Sequence, residues 1–322
     1  MQKYKKAEIK QIYEDMLLIR RFEEEVFEMY KKGLMPGLAH LYMGEEAVAV
    51  GVSKALNEGD YISSTHRGHG HMLSRGADVN LMMAEILGKK HGYCHGKGGS
   101  MHIVDMSKGL LGCNGIVGGG IPHAAGAAYS AKYQNNGKIA VCFLGDGATN
   151  QGTFHETLNM ASAWKLPAVF VIENNLYGIT GDQRDLTNIE NLADRAAAYG
   201  IPGVICDGMD PFAVYEAFKP LAERARSGEG PSILEAKTYR WQGHHVGDPG
   251  TYRSRRDPDE VAKWKARCPI KMVRAMMLKN KTATEAEILE IEARVDQKIA
   301  DASTFAVNDE YPPAEDAFKD NF

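Results

Sequence analysis

Cysteine is scarce and scattered: Cys94, Cys113, Cys142, Cys206 and Cys268, with no C-x-x-C pair. An odd number at wide spacing speaks against a disulfide framework and a structural zinc site, and for free thiols in a reducing compartment. Excess charge is also lacking. Lys+Arg is 38 against 42 Asp+Glu, a net −4, so neither nucleic acid nor an anionic membrane is the expected partner. No apolar run approaches the roughly 18–20 residues of a membrane span. The opening Met1-Gln2-Lys3-Tyr4-Lys5-Lys6 leads straight to Glu8, Glu14 and Asp15, unlike a signal or transit peptide. A cytoplasmic protein is the expectation. Repeats and low-complexity linkers are missing too.

What is present is an ordinary globular composition, 44% hydrophobic and 25% charged, enough for a sizeable core. Ile9, Ile12, Met16, Ile19, Phe22, Val26 and Tyr30 recur at steps of three or four, which predicts an amphipathic helix stopped near Gly33 and Pro36. From about residue 138 the pattern changes. Short apolar runs at 138–144, 168–172, 204–206 and 232–234 alternate with helical stretches such as 151–164 and 211–227. That alternation predicts an α/β fold: a parallel sheet with helices on both faces. Asp257-Pro258-Asp259-Glu260 and Thr284-x-x-Glu287 read as helix starts in a charged, helical C-terminal stretch. The expected organisation is a helical arm over 1–37, an α/β domain over 38–256 and a helical extension over 257–322.

Two side chains sit where such a sheet would carry chemistry. Asp146, in Gly145-Asp146-Gly147, and Asn175, in Glu173-Asn174-Asn175, each follow a predicted buried strand. Ligands collect at the carboxyl ends of strands in open α/β sheets. A carboxylate and an amide oxygen suit magnesium or calcium better than zinc. Glycines beside Asp146, and the helix that follows, fit a metal-bound phosphate. Taken alone Gly-Asp-Gly is most often only a turn; the matched spacing at two strand ends argues for a site. Gly147-x4-Gly152 is followed by Thr153 and so lacks the P-loop lysine, and Gly118-Gly119-Gly120 lacks the dinucleotide register. A second cluster is histidine-rich: His40, His66-Arg67-Gly68-His69-Gly70-His71 and His244-His245. Acidic or thiol partners at ligand spacing are absent, so proton transfer is a better reading than metal binding.

Gly145-Asp146-Gly147, 26 intervening residues, then Asn174-Asn175 resembles the thiamine diphosphate motif. Further matches are His40-Leu41-Tyr42, Gly96-Lys97-Gly98-Gly99-Ser100-Met101-His102, Asn114-Gly115-Ile116-Val117-Gly118, Leu176-Tyr177-Gly178 and Gly243-His244. Together they cover nearly the whole chain. They resemble the alpha subunits of the thiamine diphosphate-dependent first component of acetoin and 2-oxo acid dehydrogenase complexes. The resemblance implies that Asp146, Asn175 and the Tyr177 carbonyl hold Mg2+, with Gly147, Ala148 and Arg67 on the diphosphate. It implies Gly115 and Val117 on the aminopyrimidine, and His66 among the cofactor-binding residues. His244 would stand by the thiazolium, with His69 and His40 in support. A loop over 244–257, with Asp248, Tyr252, Arg253, Arg255 and Arg256, would close over the site.

The same resemblance implies an incomplete machine. The glutamate that activates the cofactor belongs to a beta subunit in an α2β2 assembly, so this chain alone is expected to be inactive. A lipoyl-bearing acyltransferase component would receive the product. His-Arg-Gly-His-Gly-His and His244-His245-Val246-Gly247-Asp248-Pro249 lean toward acetoin as substrate, cleaved oxidatively to acetaldehyde and an acetyl unit. Pyruvate or a branched-chain 2-oxo acid is the alternative. Where mitochondrial pyruvate enzymes carry a regulatory serine stands His245, which removes that phosphorylation site.

Overall fold

The computed structural model describes residues 4–248 and 257–319. Eight strands are found among them: β1 (Tyr61–Ser63), β2 (Leu110–Gly112), β3 (Ala140–Gly145), β4 (Ala168–Asn174), β5 (Tyr177–Gly178), β6 (Gly181–Asp182), β7 (Gly203–Asp207) and β8 (Ser232–Lys237). Six form one wholly parallel sheet in the order β2-β1-β3-β4-β8-β7, and β5 and β6 make a small antiparallel hairpin. The parallel α/β sheet read from the apolar runs is therefore present.

Strand alternation explains why those runs are continuous. Along β3 and β4, Ala140, Cys142, Leu144, Phe170 and Ile172 face one core, against Ile121, Ala124, Ala128, Phe154 and Leu158. Val141, Phe143, Val169 and Val171 face the other. Successive side chains point to opposite sides of a sheet, and here both sides are covered, so every position is apolar. The first layer comes from helices Gly120–Gln134 and Gly152–Ala163. Alanines on the former let it lie close to the sheet.

The second layer is thicker. Helix Lys6–Lys31 buries Ile9, Ile12, Met16, Ile19, Phe22 and Val26, the stripe predicted from spacing. Each such side chain contributes about 1.5–3 kcal/mol when fully buried. It packs on helices Glu46–Lys54 and Glu285–Asn308, and all three share one core with the sheet. The capping box at Thr284 and Glu287 forms as the sequence suggests. At Asp257 the aspartate caps Asp259 N–H, but Glu260 turns elsewhere: its carboxylate accepts from the hydroxyls of Tyr177 (3.1 Å) and Tyr239 (3.3 Å).

The connections set the functional edge. From β1 the chain moves outward to β2; from β3 it moves the other way to β4. Strand order thus reverses between the neighbours β1 and β3, and their carboxyl ends splay apart into a crevice.

Candidate active site

A cavity of about 250 Å³ occupies that crevice. Five of the six strand ends contribute: Ser64–Arg67 after β1, Asn114–Gly118 after β2, Asp146–Ala148 after β3, Asn175 and Tyr177–Ile179 after β4, and Arg240 and His244 beyond β8. His40 and Glu45 arrive from the segment ahead of helix Glu46–Lys54. That segment reaches the cavity by running along residues 239–246. Trp241 N–H donates to the Met43 carbonyl (3.1 Å) and Val246 N–H to that of Ala39 (2.9 Å). Gly44 makes the approach possible: its φ is +101°, and a Cβ there would run into the Tyr239 carbonyl and the Trp241 ring.

At the β3–β4 end the donors are hard oxygens. Asp146 is almost wholly buried, and burial pushes its carboxyl up to about 6, against the pull of Arg240 and Arg67. Asn175 donates Nδ2–H to Glu45 Oε1 (3.0 Å), which fixes the amide and leaves Oδ1 to accept from Tyr177 N–H at 3.3 Å. Asn174 turns the other way into a buried network with Gln183 and Glu235. Of the Asn-Asn pair only the second faces the cavity. The Tyr177 carbonyl accepts from Arg240 Nη1 (3.1 Å).

At the β1 end stands a cationic and imidazole cluster. Arg67 donates to the carbonyls of Leu41 (3.1 Å) and His244 (2.6 Å), and its Nη2 lies 3.1 Å from His244 Nδ1. Arginine only donates, so Nδ1 accepts and a neutral His244 carries its proton on Nε2. The His40 ring stands 4.6 Å from that of His66 and 4.9 Å from that of His244, centroid to centroid. Burial, then the Arg67 charge, pushes His40 and His244 down to about 3 and His66 to about 2. All three are neutral imidazoles near pH 7.

A pyrophosphate held through a divalent cation fits this chemistry. Asp146, Asn175 and the Tyr177 carbonyl converge from two adjacent strands and form an oxygen set suited to Mg2+. The desolvated Asp146 carboxylate gains most from a cation. Glu45 Oε2 and His40 Nδ1 are buried with no hydrogen-bond partner among the described residues, so the cavity wall retains polar capacity for a ligand.

Most residues expected from the sequence are brought together here: His40, His66, Arg67, Gly115, Val117, Asp146, Gly147, Ala148, Asn175, Tyr177 and His244 all line the cavity. His69 does not. Its ring is fully buried between Glu23 (3.1 Å from Nδ1) and Ser100 Oγ (2.9 Å from Nε2), so its influence on the cavity is indirect. Tyr252, Arg253, Arg255 and Arg256 of the expected closing loop lie outside the described residues; Asp248 accepts from His244 N–H (2.6 Å). Among the cavity residues to which the sequence assigned no role are Arg240 and Glu45. Arg240 follows β8 by three positions, so the strand-end rule would have found it. Glu45 carries no local signal.

The dehydrogenase E1 component family matches residues 14–315. The chain belongs to that family. It is 50% identical over 301 residues to the alpha subunit of acetoin:2,6-dichlorophenolindophenol oxidoreductase of Bacillus subtilis, covering 94% of this chain and 89% of that one. The corresponding Cupriavidus necator subunit is 52% identical over 250 residues, 78% of this chain and 75% of that one. The pyruvate dehydrogenase E1 component subunit alpha of Rhizobium meliloti is 41% identical over 309 residues, 96% and 88% of the two chains. This E1 chain is thus a component of a thiamine diphosphate-dependent oxidoreductase. No helix among its described residues is long and apolar enough to cross a membrane.

Proposed function

We propose that the chain is the alpha subunit of an acetoin dehydrogenase, working with a beta subunit in an α2β2 assembly and passing an acetyl unit to a lipoyl-bearing acyltransferase. The observation that carries this reading is the convergence of Asp146, Asn175, the Tyr177 carbonyl, Arg67 and His244 on one strand-end cavity. When bound, thiamine diphosphate supplies a carbon nucleophile for a substrate carbonyl and an electron sink for cleavage of the adjacent bond. Asp146, Asn175 and the Tyr177 carbonyl would hold Mg2+ against the diphosphate. Arg67 and the amides of Gly147 and Ala148 would meet the remaining phosphate charge. The Gly115 carbonyl and the Val117 amide would fix the aminopyrimidine edge, beside His66.

Overall, the bond between the carbonyl and carbinol carbons of acetoin breaks and acetaldehyde leaves. The remaining two-carbon unit is oxidised by two electrons and passed to a lipoyl disulfide. His244 Nε2–H would donate to the substrate oxygen as negative charge develops there, an electrostatic role that a weakly basic imidazole can fill. His40, whose Nδ1 has no partner among the described residues, would orient the carbinol hydroxyl by accepting its hydrogen bond. Neutral imidazoles suit an uncharged hydroxyketone, and identity of 50–52% to the acetoin subunits against 41% to the Rhizobium pyruvate subunit supports the same choice. Exposed apolar residues at the rim, Ile116, Val117 and Ile179, are surface that a beta subunit would cover.

The test is co-expression with the beta subunit, then steady-state assay with an artificial electron acceptor. Acetoin should give a kcat/KM at least about tenfold above pyruvate and branched-chain 2-oxo acids, a 1.4 kcal/mol preference. Faster turnover of pyruvate would move the assignment to a 2-oxo acid dehydrogenase. The chain without its partner should turn over neither.

A further inference from the structure

The glycine-rich stretch at 92–102 folds around a single carboxylate. At its centre is Glu85, on helix Val79–Ile86, fully buried. Among the described residues no cation forms an ion pair with it. Four backbone amides of the following loop enclose it instead. Oε2 accepts from Cys94 N–H (2.7 Å) and Gly96 N–H (2.9 Å). Oε1 accepts from Gly98 N–H (2.7 Å) and Gly99 N–H (2.9 Å). Charge-assisted bonds of this kind are roughly twice as strong as neutral ones, and a buried carboxylate left without them carries a heavy desolvation cost. The chain can wrap one side chain so tightly only because Gly96 and Gly99 take positive φ, +76° and +58°.

The loop then runs directly into the cavity. Ser100 is pinned by His69, itself held by Glu23. Met101 lines the cavity wall. Gly115, on which the aminopyrimidine is proposed to rest, is backed by Met101 and its neighbour His102: a Cβ built there would lie 3.3 Å from His102 Nε2 and 3.8 Å from Met101 Sδ. From outside, the C-terminal segment closes over the start of the loop. Lys90 N–H donates to the Glu310 carbonyl (3.0 Å), His91 Nδ1 lies 2.6 Å from Asp309, and the Lys89 ammonium sits over the Tyr311 ring.

We propose that Glu85 is a positioning residue for cofactor binding: by gathering four loop amides it sets the Met101–His102 wall that supports Gly115. It touches neither cofactor nor substrate, and acts through the loop. The inference rests on the thiamine diphosphate reading of the cavity. Glu85→Gln is the decisive change, because one half of the new amide is a donor facing two N–H groups.

The experiment has two readouts on the chain with its beta subunit. Hydrogen exchange at residues 94, 96, 98 and 99 should be slow in the wild type and at least about tenfold faster in the variant. Calorimetry with thiamine diphosphate and Mg2+ should show roughly tenfold or greater loss of affinity, while kcat at saturating cofactor stays within about threefold. A variant with fast loop exchange and wild-type cofactor affinity would overturn the proposal and leave Glu85 a purely structural residue. Should Glu85→Gln fail to fold, Met101→Ala with His102→Ala alters the wall and keeps the carboxylate. That pair should weaken cofactor binding at an unchanged unfolding midpoint, and unchanged affinity would again reject the idea. Absence of cofactor binding by the wild type would instead overturn the functional reading itself, and this inference with it.

Discussion

Buried polar groups in this molecule are finished in two ways. Around Glu85 every carboxylate oxygen has two donors. A second satisfied network runs from Ser64 through His71 to Glu173 and Tyr42, bordering the cavity at Ser64 and Glu173. Around the cavity, by contrast, Glu45 Oε2 and His40 Nδ1 have no partner among the described residues. Burial raises the Glu45 carboxyl, with the Glu173 charge adding to it, and burial likewise raises that of Asp146. Folding satisfies its own polar groups where the task is to hold shape. Where the task is to bind, it leaves capacity and tolerates the cost.

That contrast breaks most easily at Asp146. Asp146→Ala should lower affinity for thiamine diphosphate with Mg2+ at least about 100-fold, by loss of the charged ligand. Calorimetry reads this directly, and the wild-type heat should vanish in chelator. Full binding by the variant would remove Asp146 from the metal role. The next largest effect belongs to His244. In the assembly with the beta subunit, His244→Ala should reduce kcat by roughly 10²–10³ and leave cofactor affinity within about threefold. Parallel losses in both would make it a binding residue.

A smaller effect separates the two kinds of cluster by stability. His71→Ala strips hydrogen bonds from Ser64 and Glu173 inside a satisfied network and should cost about 2–4 kcal/mol in denaturant unfolding. His40→Ala removes a ring that already has an unpaired nitrogen and should cost less than half as much. Equal losses would erase the distinction. The mildest effect is on acid stability. Unfolded histidines take up protons near 6.5, whereas folded His40 and His244 stay neutral to about 3 and His66 to about 2. The unfolded chain therefore binds more protons in between, so their contribution is complete above about 6.5 and lost as pH falls toward those values. Asp146, raised to about 6, and Glu45, raised to about 8, have the opposite sign: their contributions are lost as pH rises from the ordinary carboxylate range through those values, which offsets much of the histidine effect. Urea midpoints at pH 7.5 and 5.5 should fall only slightly on acidification, and less so for His40→Ala.

The sequence made the sheet centre and the edge strand β7 readable, and the other edge, β2, not. Strands β3, β4 and β8 are buried on both faces, so hydrophobic content alone marks them. Leu110-Leu111-Gly112 is too short for any pattern, and β2 emerges only through its pairing with β1. The same limit applies in the cavity. Asp146 and Asn175 could be found because a strand end fixes where a side chain emerges. Glu45 reaches Asn175 from 130 positions away, a tertiary contact that no local spacing encodes. Glu85 was equally silent: its partners are backbone amides, and one amide looks like another in a sequence. His69 shows the converse, since its motif suggested chemistry and packing gave it a bracing task.

Glu260 ties distant stretches together. By holding the hydroxyls of Tyr177 and Tyr239, the first turn of helix Pro258–Ala266 grips the strap whose Tyr177 carbonyl is proposed to hold the ion. Releasing that grip at Glu260 alone should therefore disturb ion affinity before it disturbs the hydrophobic interior, because the carboxylate reaches those tyrosines at their hydroxyls and leaves the packing of their rings in place.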